Sequence, residues 1–199
     1  MVRVVLATHN AHKAREFQQI LGDAVPGLEI VGYDGPEPVE DGVTFEANAL
    51  IKARAAAAHT GLPALADDSG ICVDAMGGAP GIFSARWAGR HGDAQANLRL
   101  LLDQLADLPD GSRAAHFTAT LALVSPDGRE SVVAGIWPGS IAHEARGEHG
   151  HGYDPIFVPA GHDATAAELG PEVKNAESHR ARAFTAIVPA LRDLVAAAR

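Results

Sequence analysis

Two adjacent aspartates, Asp67 and Asp68, follow an apolar stretch of the chain. Neighbouring carboxylates repel each other and are costly to remove from water. A hard divalent cation such as Mg²⁺ would offset that cost, because it binds one or two carboxylates together with phosphate oxygens. A polar turn explains the same residues without a metal. Successive strand positions point to opposite faces, so only one of the two acids needs to face a binding site.

Cationic side chains occur at two expected helix starts, where the helix dipole favours anions instead. The first is the segment that runs through Thr8, His9, Asn10, Ala11, His12 and Lys13. The second begins at Ser178 and includes His179 and Arg180, with Lys174 shortly before it. Free backbone N–H groups at a helix start can bind phosphate. Solvated basic residues explain each segment alone, but two segments that converge on one phosphate chain explain the repetition better.

A loop rich in glycine and histidine supplies a further group of polar residues, namely Gly150, His151, Gly152, Tyr153, Asp154 and Pro155. The glycines on both sides of His151 allow the backbone to approach a ligand closely. A zinc site is one alternative, since other candidate ligands lie nearby, namely His143, Glu144, Glu148 and His149. His149 and His151 lack the i, i+4 spacing of helix-borne zinc motifs. Solvated or metal-free functional histidines are the other alternative.

These motifs must be positioned by alternating strands and helices. Strands are expected at Val2–Ala7, Leu28–Val31, Ala64–Ala66 with Ile71–Val73, Ala115–Val124, Ser131–Trp137 and Ser140–Ala145. Helices are expected after the caps Asn10, Thr44, Asp93 and Ser178, with stops at Gly22 and Gly61. The order of these elements predicts a mixed α/β domain.

Length and composition exclude several classes of protein. The 199 residues fit a single domain over residues 1–199, or two lobes that share one core. A net charge of −9 and 5% aromatic residues argue against nucleic-acid binding, which needs a basic face and stacking rings. We expect no membrane span and no signal peptide. The single cysteine, Cys72, fits a reducing compartment, so we expect the cytoplasm.

Five stretches distributed along the whole chain contain the motifs described above, namely VVLATHNAHKAREF, FEANALIKA, PALADDSGICVDAMGGAPGIFSARWAG, GHGYDPIFVP and KNAESHRARAF. Together they resemble the non-canonical purine nucleoside triphosphate pyrophosphatase family, which includes the inosine triphosphatases. The resemblance implies a mixed central β-sheet flanked by helices, with two lobes and a deep active-site cleft. It also implies a homodimer that uses Mg²⁺. Its implied reaction converts ITP, dITP and XTP to the monophosphate and pyrophosphate.

The resemblance further implies roles for individual residues. Asp68 would be the proton acceptor and a Mg²⁺ ligand, and Glu40 would be the second metal carboxylate. The segment Thr8 to Lys13 would hold the phosphates. The other nucleotide contacts would be Ser69, His151, Gly152, Tyr153, Asp154, Lys174, His179 and Arg180. Many members have Gly in place of His9 and Phe in place of His151, so His151 could stack on the base or donate a hydrogen bond.

Two other functions are considered for the chain. One is a pyrophosphatase for modified pyrimidine triphosphates. The other is a nucleotide sensor that binds without turnover, although a pure binder needs no metal-paired acid. The joint presence of Glu40, Asp68 and Lys13 therefore favours an enzyme.

Overall fold

The structure is a computed structural model that describes residues 1–9 and 11–198, without the side chains of residues 11, 12 and 16. The expected helix cap at Asn10 lies outside the described residues. The predicted phosphate contacts through the side chains of Asn10, Ala11 and His12 lie outside them as well.

The described residues form six strands in one mixed sheet of order β2-β1-β3-β4-β5-β6. The strands are β1 (Val2–Leu6), β2 (Leu28–Gly32), β3 (Ala64–Val73), β4 (Ala114–Val124), β5 (Glu130–Ile141) and β6 (Phe157–Pro159). β1 pairs in parallel with β2 and β3, whereas β5 and β6 are antiparallel. The near-continuous apolar runs of β1 and of the start of β3 are typical of strands that are buried on both faces.

The described residues also form five α-helices. They are α1 (Ala11–Ala24), α2 (Phe45–Thr60), α3 (Ala94–Gln104), α4 (Pro171–Glu177) and α5 (His179–Ala197). Thr44 Oγ1 accepts a hydrogen bond from Ala47 N (3.1 Å), and Gly61 ends α2 at φ 66°. Asp93 caps α3, as expected. None of the described helices combines the length and apolarity needed to cross a bilayer.

The chain divides into two compact units, each with its own apolar packing. Unit 1 consists of Met1–Asp68, Ala119–Ala134 and Ala183–Arg199, and unit 2 of Ser69–Thr118 and Gly135–Arg182. The largest buried side chains of unit 1 include Leu6, Phe17, Leu21, Leu65 and Leu121. Those of unit 2 include Ile71, Leu101, Trp137, Ile156 and Phe157.

Several local expectations differ from the structure. The helix stop expected at Gly22 is wrong, because α1 continues to Ala24 and Gly22 does not adopt the left-handed conformation that ends a helix. β3 continues without interruption through Asp67 to Gly70, so the interpretation of these residues as a polar turn is wrong. Their flanks are fully buried, and this packing overrides the local turn preference. No separate strand covers 140–145, because β5 extends to Ile141 and the strand ends there. The helix α4, of 7 residues, was not expected from the sequence.

Candidate active site

A partly buried ion pair joins the start of α1 to β3. Lys13 Nζ lies 2.5 Å from Asp67 Oδ1, and the Asp67 side chain is only 8% exposed. An ion pair with so little contact with solvent is less screened than a surface pair. Asp67 therefore fixes the position of the Lys13 ammonium at the helix start, where anions bind most readily.

A second cation, Lys52 of α2, lies beside the other two predicted carboxylates. Its Nζ is 3.3 Å from Glu40 Oε1 and 3.4 Å from Asp68 Oδ1. Asp68 Oδ2 accepts a hydrogen bond from Asn48 Nδ2 at 3.3 Å. Asn48 and Lys52 are four residues apart, so they lie on the same face of α2. Neither residue was expected from the sequence, although this spacing within FEANALIKA, after an acidic loop, is a usable signal.

The environment of Asp68 changes its acidity. Burial raises the pKa of the Asp68 carboxyl above its ordinary value, and the negative charge of Glu40 acts in the same direction. The Lys52 ammonium and the Asn48 amide oppose this effect without cancelling it. A carboxylate whose ionised form is disfavoured in this way has an increased tendency to take up a proton, which is the property that a general base needs.

The chemistry of this cluster fits a hard divalent cation. Glu40 and Asp68 supply carboxylate oxygens, and a positive charge, the Lys52 ammonium, already lies within 3.4 Å of both. Mg²⁺ typically binds one or two carboxylates and completes its shell with water and phosphate oxygens. Within the part of the chain that the structure describes, no group of three His, Cys, Asp or Glu side chains could hold a metal. The zinc alternative at 143–151 therefore gains no support.

His9 contacts the acidic loop that contains Glu40. Its Nε2 lies 2.8 Å from the Gly35 carbonyl oxygen, and its Nδ1 lies 3.1 Å from Glu37 Oε1. The imidazole also stacks on Tyr33, with ring centroids 5.8 Å apart. Both ring nitrogens thus face acceptors from 35–37. The expected phosphate contact of His9 stays a prediction.

Unit 2 contains a cavity of about 430 Å³. Every predicted nucleotide contact outside the first helix start lines it, namely Ser69, His151, Gly152, Tyr153, Asp154, Lys174, His179 and Arg180. These residues come from β3, from the 150–154 loop and from the region of α4 and α5, which lie far apart in the sequence. Their roles as nucleotide contacts stay predictions, but the structure places them around one space of a size suited to a small ligand.

Asp154 organises one side of this cavity. Its Oδ2 lies 2.6 Å from Lys174 Nζ and also accepts a hydrogen bond from the backbone N–H of His151 at 2.8 Å. The residue is 4% exposed, so these contacts are shielded from solvent. Gly150 has a φ of 78°, and a Cβ there would clash with Asp154 Oδ2. Glycine is therefore required for the loop to close over Asp154.

Aromatic and polar contacts hold several other residues of the cavity lining in place. The buried His179 ring stacks on Phe117, with centroids 4.8 Å apart and planes at 13°. Arg180 Nη2 donates to Ser69 Oγ at 3.4 Å, and Tyr153 donates its hydroxyl to the Ser84 carbonyl oxygen at 2.8 Å. Burial raises the pKa of Tyr153, so this hydroxyl stays a neutral donor. Phe117 was not expected from the sequence, because its role depends on stacking with His179, which lies 62 positions later in the chain.

The mixed sheet flanked by helices defines an α/β protein. Unit 1 contains the acid–cation cluster, and the lining of the cavity in unit 2 includes the cations Lys174 and Arg180. The chain belongs to the Ham1 family, whose model matches residues 4–190. The expected family and the mixed central sheet flanked by helices are both confirmed.

Individual relatives cover nearly the whole chain. It is 86% identical over 194 residues to the dITP/XTP pyrophosphatase of Leifsonia xyli subsp. xyli, covering 98% of each chain. It is 56% identical over 199 residues to that of Streptomyces coelicolor, covering 98% of this chain and 100% of the relative. The structure titled nucleoside-triphosphatase / dITP/XTP pyrophosphatase from Mycobacterium abscessus matches with a TM-score of 0.83 and 51% identity, covering 94% and 100%. A HAM1 protein from Coxiella burnetii matches with a TM-score of 0.90 and 41% identity, covering 97% and 100%.

Proposed function

We propose that the chain hydrolyses the non-canonical purine nucleoside triphosphates ITP, dITP and XTP to the monophosphate and pyrophosphate. The observation that carries this proposal is the cavity of about 430 Å³ in unit 2, lined by every nucleotide contact expected outside the first helix start. The relatives from Leifsonia xyli and Streptomyces coelicolor, both named dITP/XTP pyrophosphatase, support it. The proposed role is the removal of these nucleotides from the nucleotide pool.

The cavity is assigned to the base. The Arg180 guanidinium has N–H donors and no acceptor atom, so it can satisfy a 6-oxo group but not a 6-amino group. A site built on such donors rejects the wrong base strongly, because that base leaves them without partners. The His179 imidazole, next to Arg180 in the chain, is held in a fixed orientation by its stack on Phe117. Hypoxanthine, xanthine and guanine have the 6-oxo group, and adenine lacks it. This contact therefore rejects ATP, whereas rejection of GTP requires a separate contact at the 2-position of the base.

The charged cluster in unit 1 is assigned to the triphosphate and to proton transfer. Lys13 and Lys52 place positive charge where the phosphoanhydride oxygens gain negative charge as the α–β bond breaks. Asp68 accepts a proton from the attacking water, and pyrophosphate leaves with the bonding electron pair. Glu40 and Asp68 would hold Mg²⁺, which neutralises phosphate charge when it is bound.

A substrate panel tests the proposal. Pyrophosphate release is measured for ITP, dITP, XTP, ATP, GTP and modified pyrimidine triphosphates, with and without Mg²⁺. The proposal expects turnover of the first three only, and only with Mg²⁺. Faster turnover of the modified pyrimidine triphosphates would instead support the alternative function, a pyrophosphatase for those nucleotides. Tight binding of ITP without turnover under every condition would support a sensor.

Replacing His151 by phenylalanine tests how this exposed residue contacts the base. We expect the KM for ITP to stay equal or to fall, because a phenyl ring offers a larger apolar face for stacking. KM is measured at the two ends of the interval from about pH 6 to pH 8, in which an ordinary imidazole loses its proton. A large KM increase in the variant at low pH that vanishes at high pH would show that His151 donates a hydrogen bond. His149→Phe is the matched control, since His149 is absent from the cavity lining.

We propose that the protein is a homodimer, on the family resemblance. Light scattering at micromolar concentration is expected to give twice the chain mass of 20.6 kDa. A value near 20.6 kDa under the same conditions would contradict the dimer. We also propose a cytoplasmic location without nucleic-acid or membrane partners, supported by the single free cysteine and the net charge of −9.

A further inference from the structure

Asn48 has an unusual position for an amide side chain. It lies on α2 and is only 2% exposed. Its Nδ2 donates to Asp68 Oδ2 at 3.3 Å. Its Oδ1 is buried and has no hydrogen-bond partner among the described residues. A buried acceptor without a partner costs stability, so such groups are rare in native structures and call for an explanation.

The two oxygens of Asp68 have different partners. Oδ2 is the oxygen that Asn48 holds, whereas Oδ1 is 3.4 Å from Lys52 Nζ. The same ammonium lies 3.3 Å from Glu40 Oε1. Because Asn48 occupies Oδ2, the carboxylate plane is fixed with Oδ1 on the side of Glu40. The two carboxylates thereby face one positive charge together.

Gly42 brings the acidic loop against the same amide. A Cβ built on Gly42 would lie 2.6 Å from Asn48 Oδ1 and 3.0 Å from the Asn48 backbone nitrogen. Contacts this short leave no room for a side chain, so the close approach requires glycine at position 42. Asn48 therefore contacts both Asp68 and the loop that contains Glu40.

We propose that Asn48 is a positioning residue that holds Asp68 and the Glu40 loop so that both carboxylates face one divalent cation. The expected effect on kcat rests on the proposed function, because it assumes that ITP is the substrate. The expected effect on cation binding does not. It explains why the chain tolerates a buried acceptor without a partner, since the N–H of the same amide orients the acid. Removal of a group that orients a metal-binding carboxylate usually lowers metal affinity or activity by roughly 10–100-fold.

The test compares Asn48→Leu, which keeps the branched shape of the side chain but removes the amide N–H and C=O, with the wild type. The probe is Mn²⁺, titrated by electron paramagnetic resonance in the presence of imidotriphosphate, which has no base and is not turned over. We expect the Mn²⁺ dissociation constant to rise roughly tenfold or more and kcat for ITP to fall by a similar factor. The KM for ITP should change by less than about twofold, because Asn48 does not contact the nucleotide in this proposal.

Asn97→Leu is the matched control, because Asn97 is also 2% exposed but has partners for its amide, namely Ala88 N and Ala85 O. This substitution should lower Tm and leave the Mn²⁺ dissociation constant unchanged. Gly42→Ala is a second test that does not depend on how Asn48→Leu folds. It should weaken Mn²⁺ binding, whereas Gly32→Ala, whose added Cβ meets nothing within 4 Å, should not.

The outcomes separate the two proposals. Mn²⁺ dissociation constants within about twofold of wild type in both Asn48→Leu and Gly42→Ala would overturn the positioning role, even if Tm falls. If the wild type releases no pyrophosphate from ITP, the proposed function fails, but the Mn²⁺ comparison still decides the role of Asn48.

Discussion

Replacing Asp68 by asparagine is expected to lower kcat for ITP by roughly 10²–10⁴-fold, the usual contribution of a general base. The substitution keeps the side-chain volume but removes the proton acceptor and one negative charge of the proposed cation site. Asp68 is the acid that faces Lys52 and Asn48, whereas Asp67 is held by Lys13. Steady-state kinetics at saturating Mg²⁺ provide the measurement.

Two further substitutions serve as the control and the comparison for that result. Asp107→Asn changes an exposed acid in unit 2 and should leave kcat unchanged. Asp67→Asn should raise KM more than it lowers kcat, because it releases Lys13 and leaves the proton acceptor in place. A near-wild-type rate for Asp68→Asn would reject Asp68 as the key acid and indicate Asp67.

The fold of Asp68→Asn can be checked through the dependence of stability on pH. Since the folded-state pKa of Asp68 is raised, the folded protein binds this proton more tightly than the unfolded chain does. The stabilising contribution of Asp68 is therefore present below the ordinary value of 3.8 and is lost as the pH rises through the folded-state pKa. Asp68→Asn should have an equal or higher Tm than the wild type at pH 7. This advantage should vanish as the pH falls towards 3.8.

Replacing Lys13 by methionine is expected to raise the KM for ITP by roughly 10–100-fold, which corresponds to the loss of one charge-assisted hydrogen bond. The same substitution leaves the buried carboxylate of Asp67 without its ammonium, so Tm should fall. Kinetics and thermal unfolding of the same preparation separate the two effects.

The double variant Lys13→Met with Asp67→Asn separates binding from stability. It removes the unpaired charge, so most of the Tm should return while KM stays high. Arg99→Met, an exposed cation on α3, is the control for loss of charge in general. An unchanged KM together with a lowered Tm would mean that Lys13 serves only as the ion-pair partner of Asp67.

The parts of the fold that depend on local chemistry were predictable from the sequence. Thr44 and Asp93 start helices and Gly61 ends one, because caps and left-handed glycines act within one turn. The hairpin between β4 and β5 follows from its Ser-Pro-Asp-Gly turn in the same way. The continuity of β3 was not predictable, because burial of its flanks decides it.

The candidate site likewise contains residues that the sequence reveals and residues that depend on tertiary packing. Asp67, Asp68 and the residues around His151 are unusual enough in type and order to be found in the sequence. The roles of Lys52 and Asn48 depend on α2 packing beside β3, and that of Phe117 on β4 lying beside the start of α5. Contacts of this kind arise from tertiary packing between distant segments, so spacing alone does not reveal which side chains meet.

The products formed from ITP test the central claim most directly. Phosphorus NMR of a reaction with Mg²⁺ distinguishes cleavage at the α–β bond from cleavage at the β–γ bond. The proposed function predicts inosine monophosphate and pyrophosphate in equal amounts, with no inosine diphosphate at any time. Release of orthophosphate with accumulation of inosine diphosphate would contradict it.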